Sequence, residues 1–299
     1  MTLQEGFDNF IFSRELQGLS KESLRCYREF VGPFLNAVGP SRDAGDLTSS
    51  EISAYLHSFF DRPLSKASIA TYARHIKIFL RWMEEEYSYS YSAQKIRLPR
   101  SPKKNVHLYS NEEMSMIFDT VKTESAWITA RNQTLIALML DSGLRQNEAC
   151  TLLFSQVDLK KRIANVHGKG DKERVVPLGH ITILYLKEYL RLCPYEISGQ
   201  LFLSRRGGLL TKNAVKLFIH RISEELPFEF SCHKLRHNFA TNYCIDHYRK
   251  DGQVDIFQLQ ILMGHEDVKT TMRYLHLAKQ IIAAENNISH LDAAFIFSA

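Results

Sequence analysis

The 299-residue sequence predicts a mainly α protein in two parts, a helical bundle followed by a larger α+β domain with a small β hairpin. Three observations predict it. Apolar residues recur at helical spacing through residues 1–90. A cationic, proline-bearing stretch interrupts the pattern at 97–109. The period shortens to two only across 162–178, after which helical spacing returns.

The bundle reads as four helices. Phe7, Phe10 and Ile11 mark the first. Ser20 caps a second that carries Leu24, Tyr27 and Val31, and Gly32-Pro33 is expected to kink or end it. Thr48 with Glu51 forms a capping box for a third helix with Ile52, Tyr55, Leu56, Phe59 and Phe60 turned inward. After Pro63, Ser65 opens a fourth with Ile69, Tyr72, Ile76, Phe79, Leu80 and Met83 inward. That helix also carries a basic stripe, Arg74, Lys77 and Arg81. Such a stripe is either a solvated face or a row of phosphate contacts.

Residues 97–109 form the linker between a domain at 1–96 and another at 110–299. Pro99 and Pro102 stop helix formation, and Arg97, Arg100, Lys103 and Lys104 make the tether cationic. Ser110 and Glu113 begin the second domain with a capped helix, and an apolar segment at 131–140 ends at the turn Asp141-Ser142-Gly143. Arg145 and Glu148 start the next helix. Strands at 162–167 and 173–176 flank a Gly-Lys-Gly-Asp turn, and helices follow at 181–192, 212–226, 233–247, 255–262 and 270–282.

Hydrophobic residues make up 44% of the chain, which marks an ordinary globular protein. The net charge of +5 suits a polyanionic partner without demanding one. No secretory leader and no membrane-spanning run is visible. Five scattered cysteines without a Cys-x-x-Cys pair fit a reduced, cytoplasmic chain.

The stretch at 231–237, Ser-Cys-His-Lys-Leu-Arg-His, places His233 and Arg236 on one helical face. Met263-Gly264-His265 adds an imidazole, Ser142-Gly143-Leu144-Arg145 adds a guanidinium, and Tyr274 adds a phenol. These groups can make a phenol oxygen attack a phosphodiester. A free phenol ionises near pH 10, so it must lose its proton as it attacks, and the phosphorane gains charge. Arg145 and Arg236 stay charged and can each grip two phosphate oxygens. His233 and His265 can donate to a non-bridging oxygen or accept the phenol proton. Lys169, between two glycines at the hairpin tip, can protonate the leaving oxygen. Each group also has an ordinary role. Arg145 can pair with Glu148, His233 can be a core histidine, Lys169 can be a surface turn lysine, and Tyr243 and Tyr248 are rival phenols. His233 and His237 have the spacing of a helical zinc pair, but Lys234 stands where a zinc protease needs Glu, so no metal is expected.

The order of these groups resembles the tyrosine recombinases, and the small Xer-type enzymes in particular. The matching stretches are 142–149 (Ser-Gly-Leu-Arg-Gln-Asn-Glu-Ala), 168–179 (Gly-Lys-Gly-Asp-Lys-Glu-Arg-Val-Val-Pro-Leu-Gly), 233–241 (His-Lys-Leu-Arg-His-Asn-Phe-Ala-Thr) and 262–265 (Leu-Met-Gly-His), running on to 270–276 (Thr-Thr-Met-Arg-Tyr-Leu-His). The resemblance implies Arg145, Lys169, His233, Arg236 and His265 as the activating set, Tyr274 as nucleophile, and Glu148 as the support of the first arginine. It implies a SAM-like core-binding bundle and a catalytic domain closing as a C-shaped clamp on DNA. It also implies a metal-independent reaction without cofactor, through a 3′-phosphotyrosyl intermediate and a Holliday junction. The expected partners are duplex DNA with a short inverted-repeat core site and three more protomers, either a homotetramer or a heterotetramer with a sister recombinase. Chromosome-dimer resolution and mobile-element integration or excision are both open roles.

Two departures stand out. About half a dozen extra residues, near 246–253, separate Arg236 from His265 and are expected to lengthen a loop. Asn238 replaces the usual Thr, a change expected to be tolerated. The C-terminal segment bearing Ile281, Ile282, Ile288, Leu291, Phe295, Ile296 and Phe297 is expected either to dock into a neighbouring protomer or to lie on its own domain. A type IB topoisomerase-like nicking and rejoining enzyme, or a DNA-binding regulator without chemistry, are the alternatives.

Overall fold

The computed structural model describes residues 1–99, 107–168, 173–285 and Leu291. Arg100, Lys103, Lys104, Lys169, Ile288, Phe295, Ile296 and Phe297 therefore lie outside the described residues. The chain divides into two compact units, Met1–Lys104 and Asn105–Ala299.

The first unit is built on four helices, α1 (Leu3–Leu16), α2 (Lys21–Val38), α3 (Ser49–His57) and α4 (Lys66–Tyr87). The side chains of Thr2, Ser20, Thr48 and Ser65 each cap one of them. The core joins α1 to α4 through aromatic edges, with Phe7 and Phe10 both against Phe79 at 5.4 and 5.5 Å. Helix α2 continues through Pro33. The proline costs one backbone hydrogen bond, but Val31, Phe34 and Leu35 are buried on either side of it and hold the helix together. Phe60 does not face inward. The chain tightens into a 3₁₀ turn at Ser58–Asp61, which buries Phe59 and rotates Phe60 out to 56% exposure.

The second unit holds α5 (Asn111–Thr120), α6 (Ala126–Asp141), α7 (Gln146–Thr151), strands β1 (Val157–Asp158), β2 (Ile163–His167) and β3 (Glu173–Pro177), then α8 (His180–Leu192), α9 (Lys212–Glu225), α10 (Cys232–Asp251), α11 (Ile256–Met263) and α12 (Val268–Glu285). The sheet is antiparallel in the order β1-β2-β3, and β2 and β3 pair from Ile163 with Pro177 to His167 with Glu173. Strand β1 is too short to show a period in sequence. Residues Leu135 to Met139 of α6 are buried on every side, which accounts for the apolar run there.

The residues expected to lengthen a loop extend a helix instead. Helix α10 runs on to Asp251 and stops at Gly252, whose φ of 69° ends it in the left-handed region. Cys244 and Ile245 are buried in the cluster formed with α12, so packing carries the helix past the motif residues. Arg249 then pairs with Glu285, the last residue of α12. Ile282 is buried within its own unit, while Leu291 is 69% exposed. Among the described residues, no helix is long and apolar enough to cross a membrane.

Candidate active site

The site begins at Arg145, which stands at the N-cap of α7. Its backbone N–H donates to Glu148 Oε2 at 2.8 Å, and its guanidinium donates to Glu148 Oε1 at 2.7 Å and to the carbonyl of Gly264 at 2.8 Å. Glu148 is buried and is also held from β3, where Arg174 donates to both of its oxygens at 3.0 and 2.7 Å. A third guanidinium, Arg236 on α10, lies 3.9 Å from Glu148 and donates to the carbonyls of Gly143 and Met263. Burial alone would raise the Glu148 carboxyl, but its bonds to Arg174 and Arg145 outweigh that and hold it at about 2. Burial and then the neighbouring Arg145 lower Arg236 to about 9, so it remains a cation at neutral pH.

Three cations around one carboxylate leave a local excess of positive charge, which is what a phosphodiester needs. A cavity of about 700 Å³ opens beside them, lined by Arg145, Arg174, Gly168, Gly264, His265 and Thr270 among others. Gly264 ends α11 with a φ of 58°, and a Cβ there would come within 3.3 Å of both Arg145 and Arg174. The absence of a side chain lets the backbone reach the guanidiniums.

His265 follows directly. Its Nδ1 meets the Thr271 hydroxyl at 2.9 Å, and its ring lies nearly parallel to that of Tyr274 at 6.2 Å. Burial, then Arg236 and Arg145, lower His265 to about 4. Tyr274 itself, on α12, is only 2% exposed. Its hydroxyl is 2.6 Å from His237 Nδ1 and accepts from Arg273 at 2.9 Å. His237 Nε2 lies 2.7 Å from His233 Nε2.

The contacts therefore join Arg145, Glu148, Arg236, His265, Tyr274 and His233 into one continuous site assembled from α7, α10, the turn after α11, and α12. Lys169, whose role the sequence suggested at the hairpin tip, lies outside the described residues; its neighbour Gly168 lines the cavity. Three participants escaped the sequence reading. Arg174 lies in a strand beside two valines, His237 has the spacing of half a zinc pair, and Arg273 stands inside the matching stretch 270–276 with no signal of its own. Among the described residues no group of three or more His, Cys, Asp or Glu could hold a metal.

The basic residues of the first unit are placed differently. Arg74, Arg81 and Arg97 are exposed. Arg81 pairs with Glu85 at 3.2 Å. The Lys77 ammonium donates to the carbonyls of Gln94 at 3.2 Å and Ile96 at 2.8 Å, tying the segment after α4 back onto it.

The Phage integrase family model matches residues 108–281, which span the whole of this site, and the Phage integrase N-terminal SAM-like domain matches residues 7–89. The chain belongs to the phage integrase family. It is similar to the tyrosine recombinase XerC of Oceanobacillus iheyensis, with 29% identity over 297 residues and 95% of each chain covered. It is also similar to the tyrosine recombinase XerC of Halalkalibacterium halodurans, with 30% identity over 237 residues, covering 75% of this chain and 76% of that one. Its fold matches that of a lambda integrase fragment (residues 75–356) bound as a dimer to a COC′ core site, with a TM-score of 0.72, 18% identity, and 92% and 95% of the two chains covered. These likenesses place the chain among the site-specific tyrosine recombinases, close to the Xer type, and favour that class over the topoisomerase-like and regulatory alternatives.

Proposed function

We propose that this site-specific recombinase cuts DNA with Tyr274 and rejoins it through the same residue. The phenol oxygen attacks a phosphodiester, a 3′-phosphotyrosyl bond forms, and a 5′ hydroxyl leaves. That hydroxyl attacks the phosphotyrosine of a partner duplex, so the ester conserves the bond energy and no nucleotide cofactor is consumed. Arg145 and Arg236 hold the non-bridging oxygens, His265 and His233 supply hydrogen bonds, Glu148 fixes the arginines, and Lys169 protonates the departing 5′ oxygen.

The observation that carries this reading is the gathering around one phenol of guanidiniums and imidazoles far apart in sequence. Arg145 reaches Gly264 at 2.8 Å across 119 residues, and Tyr274 reaches His237 at 2.6 Å across 37. Two strand exchanges need two duplexes, and one nucleophile per cut strand needs four protomers, passing through a Holliday junction on a short inverted-repeat site. Domain 1–96 grips the core site, with Arg74, Lys77, Arg81 and the linker cations Arg97, Arg100, Lys103 and Lys104 meeting phosphates. Lys77, already held by two carbonyls, adds charge more than reach. The reaction takes place where DNA is found in a bacterial cell, in the cytoplasm.

The test is a duplex nicked beside the cleavage position, which traps the covalent adduct. Tyr274→Phe should form no adduct and bind the duplex nearly as the wild type does; adduct persisting in that variant would falsify the assignment. Deleting residues 286–299 should weaken junction assembly more than binding to a single site, and equal losses in gel shifts of the two would refute a role for that segment between protomers.

A further inference from the structure

The hydrogen-bond pattern at Tyr274 fixes where its proton goes. The phenol oxygen accepts from Arg273 Nη2 at 2.9 Å. Its own single hydrogen is then directed at its other partner, His237 Nδ1, at 2.6 Å. That nitrogen must offer a lone pair, so the neutral ring carries its hydrogen on Nε2. Nε2 faces His233 Nε2 at 2.7 Å, which accepts, leaving the hydrogen of His233 on Nδ1. This tautomer assignment gives each of these three contacts one donor and one acceptor, and Arg273 Nη2, also 3.3 Å from His237 Nδ1 and 3.4 Å from its Nε2, can share the Nδ1 lone pair as a second, longer donor.

We infer that His237 is a further catalytic residue, the immediate proton acceptor for Tyr274, and that it passes the proton on to His233. The inference rests on the reading of Tyr274 as nucleophile. As the phenol oxygen bonds to phosphorus and the phosphorus–O5′ bond breaks, the phenol hydrogen moves to His237 Nδ1 and the Nε2 hydrogen of His237 moves to His233. Rejoining runs the same path backwards and returns the proton to the leaving phenolate. Burial decreases along the path, from Tyr274 at 2% exposed, through half-buried His237, to exposed His233 at the rim, so the proton ends where water can take it.

The electrostatics set the resting state of the ring and make its charged state brief. The groups facing His237 are His233 and Arg236 on α10, Arg273 and Tyr274 on α12, and His265 in the turn before it. Burial first, then His233 and the two arginines, lower His237 to about 3, so at neutral pH its Nδ1 is unprotonated and free to accept. His233 is lowered as well, by the partial burial of its ring and by Arg273 and Arg236. A ring that stays neutral at rest and hands its charge outward need not hold a proton among cations for long. Arg273, with its guanidinium carbon 4.9 Å from the centre of the Tyr274 ring, stabilises the phenolate as it forms.

Single-turnover cleavage of the nicked duplex tests the relay. His237→Ala should cleave about 100- to 1,000-fold more slowly with duplex binding unchanged. Added imidazole should restore roughly tenfold of that loss, in proportion to its free-base fraction as pH is varied. His237→Asn keeps an acceptor near the Nδ1 position but cannot relay a proton, so it should be as slow as the alanine variant. If His237→Asn cleaves at the wild-type rate, the ring only holds the phenol and the relay is wrong. If His237→Ala melts like the wild type and is slow, yet imidazole gives no recovery, the relay is likewise wrong. Adduct in Tyr274→Phe would sink the nucleophile assignment itself, an outcome independent of either His237 variant.

Discussion

At Glu148, three guanidiniums surround one carboxylate, and nearly every contact is to a group that stays ionised or to a backbone carbonyl. At Tyr274, the partners are two imidazoles and an exposed guanidinium. The first region cannot change its charge near neutral pH, because Glu148 is held at about 2 and Arg236 at about 9. The second holds two imidazoles, lowered to about 3 and about 4, which rest neutral and keep ring nitrogens able to take a hydrogen bond from a donor. The difference separates two tasks of phosphoryl transfer. In the mechanism proposed above, a fixed field would stabilise charge that develops on phosphate, and a relay would manage the hydrogen of Tyr274.

The sharpest way to break the contrast is to remove the anion from the fixed region. Glu148→Gln leaves Arg145, Arg174 and Arg236 without their shared carboxylate. The variant should lose about 3–5 kcal/mol in denaturant unfolding, as a buried ion group broken on one side does. The same variant should also change the acid limb. The Glu148 carboxyl is lowered from 4.5 to about 2, so its contribution is complete above about pH 4.5 and is lost as pH falls through about 2. That contribution is roughly 3 kcal/mol, and the glutamine variant should show a correspondingly flatter stability curve between those pH values. An unchanged acid limb would mean that Glu148 is not held as described.

Arg236→Ala comes next. It leaves the carbonyls of Gly143 and Met263 without their donor and, on the proposed mechanism, takes a cation from the phosphate. Cleavage of the nicked duplex should fall about 100- to 1,000-fold, corresponding to the loss of one preorganised donor. A loss under threefold, measured on protein that still binds duplex, would assign the fixed field to Arg145 and Arg174 alone. The smallest effect is expected from Gly264→Ala. The new methyl would sit at φ 58° and 3.3 Å from two guanidiniums. About 1–2 kcal/mol of stability should disappear, with cleavage slowed and the response to imidazole of the His237→Ala background unaltered. That last readout separates the two regions.

Much of this was legible in the sequence. Capping boxes at Thr48 and Ser110 announced helix starts, and the His-x-x-Arg spacing brought its two side chains to one face, because these features are set by neighbours a few residues away. Arg174 was not legible for a reason of parity. In Glu173-Arg-Val-Val-Pro, either valine can face the core, and only the pairing with β2 decides. Val176 is buried and Val175 is 51% exposed, which turns Arg174 inward toward Glu148. The part Asn238 plays was not legible either: it is fully buried and its amide bridges three backbone groups, accepting from the Tyr109 N–H at 2.8 Å and donating to the carbonyls of His107 and Lys234, each at 2.9 Å. Those partners lie up to 131 residues away, beyond any local pattern.

The extended α10 has a mechanical consequence. It is braced against α12 at two stations, His237 to Tyr274 and Arg249 to Glu285. At 1.5 Å per residue these stations are roughly 17 Å apart along either rod. Two beams riveted at both ends form a truss, so withdrawing the phenol from between the imidazoles means buckling a strut or popping a rivet, whereas a hinged flap would simply swing.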